Sequence, residues 1–102
     1  MANSRTKLQA ILEQILGSRN VYFQPPETLK MRYPAIVYTL TDIQTIFADD
    51  AVYKKYRVYR ITFISSDPDS ELTEKLLQLP MCRFNSRFTA DGLYHDVFTV
   101  YF

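Results

Sequence analysis

The first periodic signal lies near the start of the chain. Leu8, Ile11, Leu12, Ile15 and Leu16 recur at helical spacing and form one apolar stripe. Ser4 stands where an N-cap is needed. Gly17 stands where a helix ends, because glycine takes the left-handed conformation cheaply. A stripe of this kind packs on the protein's own sheet more often than on a partner. A short apolar run follows over residues 21–23. Residues 24–33, with Pro25 and Pro26, read as a loop. Tyr33-Pro34 opens a strand over residues 35–40. Residues 43–47 form a second extended run that can continue the first past Thr41-Asp42. Ala48-Asp49-Asp50-Ala51 reads as a polar turn. Residues 52–64 then give the longest strand signal, rich in Tyr, Val, Ile and Phe. Alternation places Tyr59, Ile61 and Phe63 on one face and Val58, Arg60 and Thr62 on the other.

Residues 65–70 form a loop whose last member, Ser70, can cap a second helix. Glu71 and Glu74 sit in the first turn, where carboxylates favour the helix dipole. Leu72, Leu76 and Leu79 share a face, and Pro80 stops the helix. The chain closes on a hairpin about Asp91-Gly92. A two-residue loop would place Phe84 and Phe88 on the opposite face from Phe98, Val100 and Phe102. A three-residue loop, Ala90-Asp91-Gly92, sets Phe88 against Tyr94, Phe84 against Phe98 and Cys82 against Val100, all on one face. Arg83, Asn85, Arg87, His95, Thr99 and Tyr101 then share the other face. Burial of the aromatic set favours the second register, with Gly92 in the left-handed bulge position. The element order predicts an α+β fold. Its antiparallel β-sheet has about four to five strands, with two helices packed on one face, and the whole forms one domain over residues 1–102.

Charge narrows the function classes. Twelve basic residues against eleven acidic give a net charge of +1, which argues against a dedicated nucleic-acid binder. Residues 54–60 are the exception in flavour: Lys54, Lys55, Tyr56, Arg57, Val58, Tyr59 and Arg60 interleave cations and aromatics, as base-stacking sheets do. Strand parity divides them, with Lys55, Arg57 and Tyr59 on one face and Lys54, Tyr56 and Arg60 on the other. A strand whose edges snorkel into solvent, or an intersubunit contact, is the better reading. Tyr and Arg are the types enriched in interface anchors, so Tyr53, Tyr56, Arg57 and Arg60 are its candidate residues. The neighbouring turn adds Asp49 and Asp50, acidic, before Lys54 and Lys55, basic, a set that can meet a charged rim. The loop over residues 24–32 is a second candidate contact.

Candidate catalysis is sparse. Cys82 is the only cysteine, so no intrachain disulfide and no cysteine-based zinc site can form. His95 is the only histidine, and the preferred hairpin register sets it on the opposite face from Cys82. Asp67, Asp69 and Glu71 lack the glycine and the later bidentate glutamate of a calcium loop, and turn formation explains them more simply. No phosphate-binding or nucleophile-elbow motif is present. The expectation is a non-enzymatic protein with no metal and no cofactor. The N-terminal stretch lacks the apolar run of a signal peptide, and no run is long enough to span a membrane. A soluble protein assembled in the cytoplasm is expected.

The second half carries a resemblance. Tyr33-Pro34-Ala35-Ile36-Val37-Tyr38 opens it, and Asp67-Pro68-Asp69-Ser70 follows. Lys75-Leu76-Leu77, Leu79-Pro80-Met81-Cys82 and Phe84 come next. Thr89-Ala90-Asp91, Leu93, His95, Val97-Phe98-Thr99 and Tyr101-Phe102 close it. Over residues 33–102 this pattern resembles the tail terminator, or tail completion, proteins of long-tailed bacteriophages. The resemblance implies a ring, typically a hexamer, at the head-proximal end of the tail tube. Such a ring ends tube growth and joins tail to head. Its implied partners are further copies of the chain, the major tail tube protein and the head-completion or connector protein. DNA passes through the ring without sequence-specific binding. The implied place is the tail or neck of the virion. Two alternatives stand beside it: a head-completion or stopper protein of the neck, and a small nucleic-acid-binding β-sheet module.

Overall fold

A computed structural model describes residues 4–25, 30, 32–49 and 51–102, and for residues 4 and 52–54 the backbone alone. Helix α1 (Ser4–Leu16) buries Leu8 and Leu12 completely, with Ile15 and Leu16 packed beside them. It ends as its sequence requires. Gly17 has φ +79° and donates its N–H to the Glu13 carbonyl at 2.9 Å. The proposed Ser4 cap lies outside the described side chains.

Five strands form one sheet: β1 (Val21–Phe23), β2 (Ala35–Ala48), β3 (Ala51–Ser65), β4 (Cys82–Ala90) and β5 (Leu93–Tyr101), in the order β1-β2-β3-β5-β4. The α+β class is as expected, and four of the strands run antiparallel. The short run at 21–23 differs. It pairs parallel to β2, with Val21 opposite Ile36 and Phe23 opposite Tyr38. Parallel neighbours need a crossover rather than a tight turn, and the segment between Phe23 and Ala35 supplies it. The two runs at 35–40 and 43–47 are one strand. A bulge at Thr41 lets β2 continue, and the Thr41 hydroxyl donates to the Val58 carbonyl at 3.1 Å.

The helices cover one face. Ile36 and Tyr38 of β2, Tyr59, Ile61 and Phe63 of β3, and Phe98 and Val100 of β5 meet Leu8, Leu12 and the helix α2 (Glu71–Leu77) residue Leu76. Each fully buried large apolar side chain contributes about 1.5–3 kcal/mol relative to exposure. Ser70 caps α2 as predicted, its hydroxyl accepting from the Leu72 N–H at 3.3 Å. Polar contacts tie α1 down. The buried Tyr38 hydroxyl donates to Gln9 Oε1, and Gln9 Nε2 donates to the Val21 carbonyl at 3.0 Å. Burial raises the Tyr38 pKa, so the phenol stays neutral and free to donate.

The last hairpin departs from the expected register. Ala90 pairs with Leu93, and both Asp91 (φ +54°) and Gly92 (φ +74°) are left-handed. The connection is therefore a two-residue turn with positive φ at both central positions, not a three-residue loop with Gly92 in a bulge. The bulge lies inside β4, between Phe84 and Ser86. That inserted residue restores the pairs Phe84–Phe98 and Cys82–Val100, which the sequence argument had assigned to the turn. On the turn side of the bulge the faces exchange. Phe88 pairs with His95 on the uncovered face, and their rings stack at 4.6 Å. Arg87 moves to the helix-covered face opposite Asp96. The exchange of Phe88 for Arg87 is tolerated there because Arg87 partners Asp96, which is only 3% exposed.

Candidate interaction surface

β5 pairs with β3 only from Val58 to Ser65, and one further bond, Phe102 N–H to the Arg57 carbonyl at 2.8 Å, closes the edge. On the other side β1 covers β2 only from Ile36 to Tyr38. Beyond these limits residues 41–48 and 51–57 continue as a two-stranded ribbon. The molecule's long dimension is 51 Å against 24 and 23 Å for the other two. The sequence forms this ribbon because its β-branched and aromatic residues suit a pleat and Asp49-Asp50 connects Ala48 to its partner Ala51. A lone two-stranded ribbon is marginal in water. This one also exposes large apolar side chains: Ile43 and Ile46 are each 47% exposed, and Phe47 is 65% exposed.

Most of the predicted contact residues lie on this arm or at its root. Lys55 and Arg57 are exposed on one face, Tyr56 is half-buried on the other, and Arg60 is exposed where the arm joins the sheet. Asp49 is exposed at the tip with φ +53°. Asp50 and the side chains of Tyr53 and Lys54 lie outside the described residues, as does most of the 24–32 loop. The arrangement brings these residues onto one projecting element but does not gather cations and aromatics on one platform. Asp91 and Gly92 lie at the tip of the other hairpin, as predicted, in the altered turn type.

The uncovered sheet face runs from the arm root across β3, β5 and β4. It presents Thr62, Val97, Thr99 and His95, with Phe88 at its margin 49% exposed. His95 sits here, whereas Cys82 packs against the core beneath the helices. The two therefore lie on opposite faces of the hairpin, as the parity argument expected, though by a different register. Burial pushes the Cys82 thiol up to about 11, which keeps it protonated and unreactive near neutral pH.

The best-partnered charge is structural. Arg87 donates from Nε to Asp96 Oδ1 at 2.5 Å and from Nη2 to Oδ2 at 3.0 Å, and Thr73 of α2 donates to Oδ2 at 2.7 Å. Burial alone raises the Asp96 pKa. The Arg87 and Thr73 hydrogen bonds outweigh it and hold the carboxyl below its ordinary value. The node locks α2 to the last hairpin. Asp67 shapes its own loop, accepting the Asp69 N–H on Oδ1 at 2.9 Å. Among the described residues no group of three or more His, Cys, Asp or Glu is placed to hold a metal ion. No described helix is long and apolar enough to cross a membrane.

Sequence reasoning missed the apolar part of this surface. Ile43, Ile46 and Phe47 were legible as a strand, but their exposure follows from the absence of further neighbouring strands among the described residues. It also missed an open apolar pocket of about 310 Å³ at the root of the arm, lined by Ile11, Leu79, Pro80, Val100, Tyr101 and Phe102. No residue of that set is unusual alone, and β1, β2, β3 and α2 lie along the chain between Ile11 and Leu79. No protein-family model matches the chain, and a search of curated proteins finds no match.

Proposed function

We propose that the chain is a structural subunit of a phage tail ring, one that ends the tail tube at its head-proximal end and joins it to the head connector. The observation that supports this reading is the projecting β2–β3 ribbon with its exposed apolar side chains. An element of that kind is marginal in an isolated monomer and gains stability when a neighbour covers it. A subunit that binds through one projecting element and one distant surface makes a heterologous contact, and such contacts close into rings when the rotation permits. The uncovered face and the arm give the domain two unlike sides, which a terminator needs. It must match the growing tube end on one side and refuse further tube subunits on the other. In this reading the protein belongs to the virion neck, its partners are its own copies, the tube protein and the connector, and DNA passes through the ring.

The test is electron microscopy of the purified protein mixed with tail tubes. Rings at one tube end, with tube growth arrested there, are the expected result. Rings that bind heads and ignore tubes would assign the chain to the stopper position instead. Particles that bind neither, together with salt-sensitive retention of single-stranded nucleic acid, would favour the nucleic-acid-binding sheet.

A further inference from the structure

We infer that the uncovered sheet face binds single-stranded nucleic acid, with an arginine row for the phosphates and the Phe88–His95 pair for a base. The inference goes beyond the ring reading and does not rest on it. Thr99 of β5 lies opposite Arg60 of β3 on one side and opposite Arg83 of β4 on the other. Cross-strand partners share a face, so the three side chains form one row on the side away from the helices. Strand spacing sets the two arginine backbones about 9.5 Å apart, with Thr99 between them. Both arginines are exposed, and among the described residues neither has an ion-pair partner, whereas Arg87 on the other face is paired with Asp96. Asn85 Nδ2 donates to Thr99 Oγ1 at 2.6 Å, which leaves the Thr99 hydroxyl proton free for a further acceptor. Two guanidinium forks and a hydroxyl donor suit a phosphate, which accepts from all three.

The same face carries a stacking platform. The Phe88 and His95 rings lie 4.6 Å apart with their planes 15° from parallel, and Phe88 is 49% exposed. β4 is the last strand of the sheet, so no described strand covers the ring face that Phe88 turns away from His95. A base laid on that face continues the stack. His95 precedes Thr99 by four residues on β5, so the platform lies about 13 Å along the strand from the arginine row. Between the two the register places Thr62, Val97 and Ser86, short side chains that leave a shallow track. It places no carboxylate there. Asp96 faces the helices, and Asp42, opposite Val58, lies on the far side of the row. Charge favours a polyanion, and the exposed ring stack favours one with unpaired bases over an acidic peptide or a duplex. The net charge of +1 is no obstacle, because the cations are gathered locally.

The experiment is fluorescence anisotropy of a labelled oligothymidine of about ten nucleotides, titrated with the full chain over a range of salt concentrations. The expected result is saturable binding at low ionic strength that weakens as salt is added. Arg60→Gln with Arg83→Gln should weaken it at least tenfold. The double variant should also flatten the slope of log K against log salt by about 1.4, or about 0.7 for each arginine. Phe88→Leu should weaken binding about tenfold and leave that slope unchanged, because it removes a stacking surface and no charge. Arg19→Gln with Lys75→Gln removes two cations from elsewhere on the surface and should change the affinity less than twofold. Each variant alters exposed side chains, and a melting temperature near the parent's confirms that it is folded. No binding at low salt overturns the site, and so does full binding by the Arg60→Gln, Arg83→Gln chain. Competition by polyglutamate or by a duplex as strong as that by the unlabelled strand overturns it too, since charge alone would then explain retention. A protein that binds the strand as expected but ignores tube ends keeps this site and loses the tail role. One that caps tubes and binds no strand does the reverse.

Discussion

The two halves of the β2–β3 hairpin are built from the same residue types and end in opposite environments. In the proximal half Ile36, Tyr38, Tyr59, Ile61 and Phe63 are essentially inaccessible. In the distal half Ile43, Ile46 and Phe47 stand largely in solvent. Strand propensity does not separate them, since both halves are rich in β-branched and aromatic side chains. What separates them is flanking structure. The proximal half has β1 on one side, β5 on the other and two helices across one face, and among the described residues the distal half has only its own partner strand. A strand forms where backbone pairing allows it, but it becomes core only where a second layer covers it. The distal half is thus a strand awaiting a layer, and a neighbouring copy is the layer proposed for it.

Substitutions can break that contrast, beginning with the proximal half. Ile61→Ala removes a fully buried side chain from the centre of the core and should cost about 2–5 kcal/mol, measured by urea unfolding. A cost similar to that of an arm substitution would mean the two halves are not distinct.

Asp96→Asn should cost about 1–2 kcal/mol at neutral pH, held low because Arg87 is partly open to solvent. The pH dependence sharpens this. Asp96 has a lowered pKa in the folded state, so its contribution is full above the ordinary carboxylate value of about 3.9. It is lost as pH falls through the lowered value. The stability gap between parent and variant should accordingly stay constant from pH 7 to about 5 and narrow in stronger acid. A gap that widens in acid would contradict the assigned hydrogen bonds.

Gly92→Ala should cost about 1 kcal/mol. No atom would crowd the new Cβ, so the penalty is the backbone's alone, from φ +74°. Equilibrium unfolding that finds the variant neutral would remove the left-handed turn. Ile43→Ala should change the stability of the monomer by about 1 kcal/mol or less, well below the cost of a core truncation, because the side chain is 47% exposed. The same substitution should become measurable in the assembled ring, which distinguishes an arm that is covered on assembly from one that is not.

Much of the fold was legible. The helical stripe from Leu8, the Ser70 cap, the alternation from Tyr59 to Phe63 and the two turns are local features, and local sequence specifies them. The last hairpin shows where this stops. The aromatic set correctly demanded that Phe84 meet Phe98, yet two devices satisfy that demand, a bulge at the turn or a bulge within the strand. Burial alone does not choose between them. The observed choice sets Arg87 opposite Asp96, and Asp96 is buried with Arg87 and Thr73 as its partners.

The candidate surface divides the same way. That residues 51–60 mix Tyr, Lys and Arg, and that a turn at Asp49 precedes them, is a property of the sequence, and the same segment lies in the projecting arm. Local pattern also determined the helices, the strands and the class of fold, because periodicity and capping act over a few residues. Only the tertiary structure decided that half of the longest hairpin has no neighbour among the described residues, that Phe47 is exposed rather than part of the core, and that Ile11, Leu79 and Phe102 line a pocket. Burial is a relation between segments far apart in the chain, and no local pattern can state which strand will stand beyond the last helix.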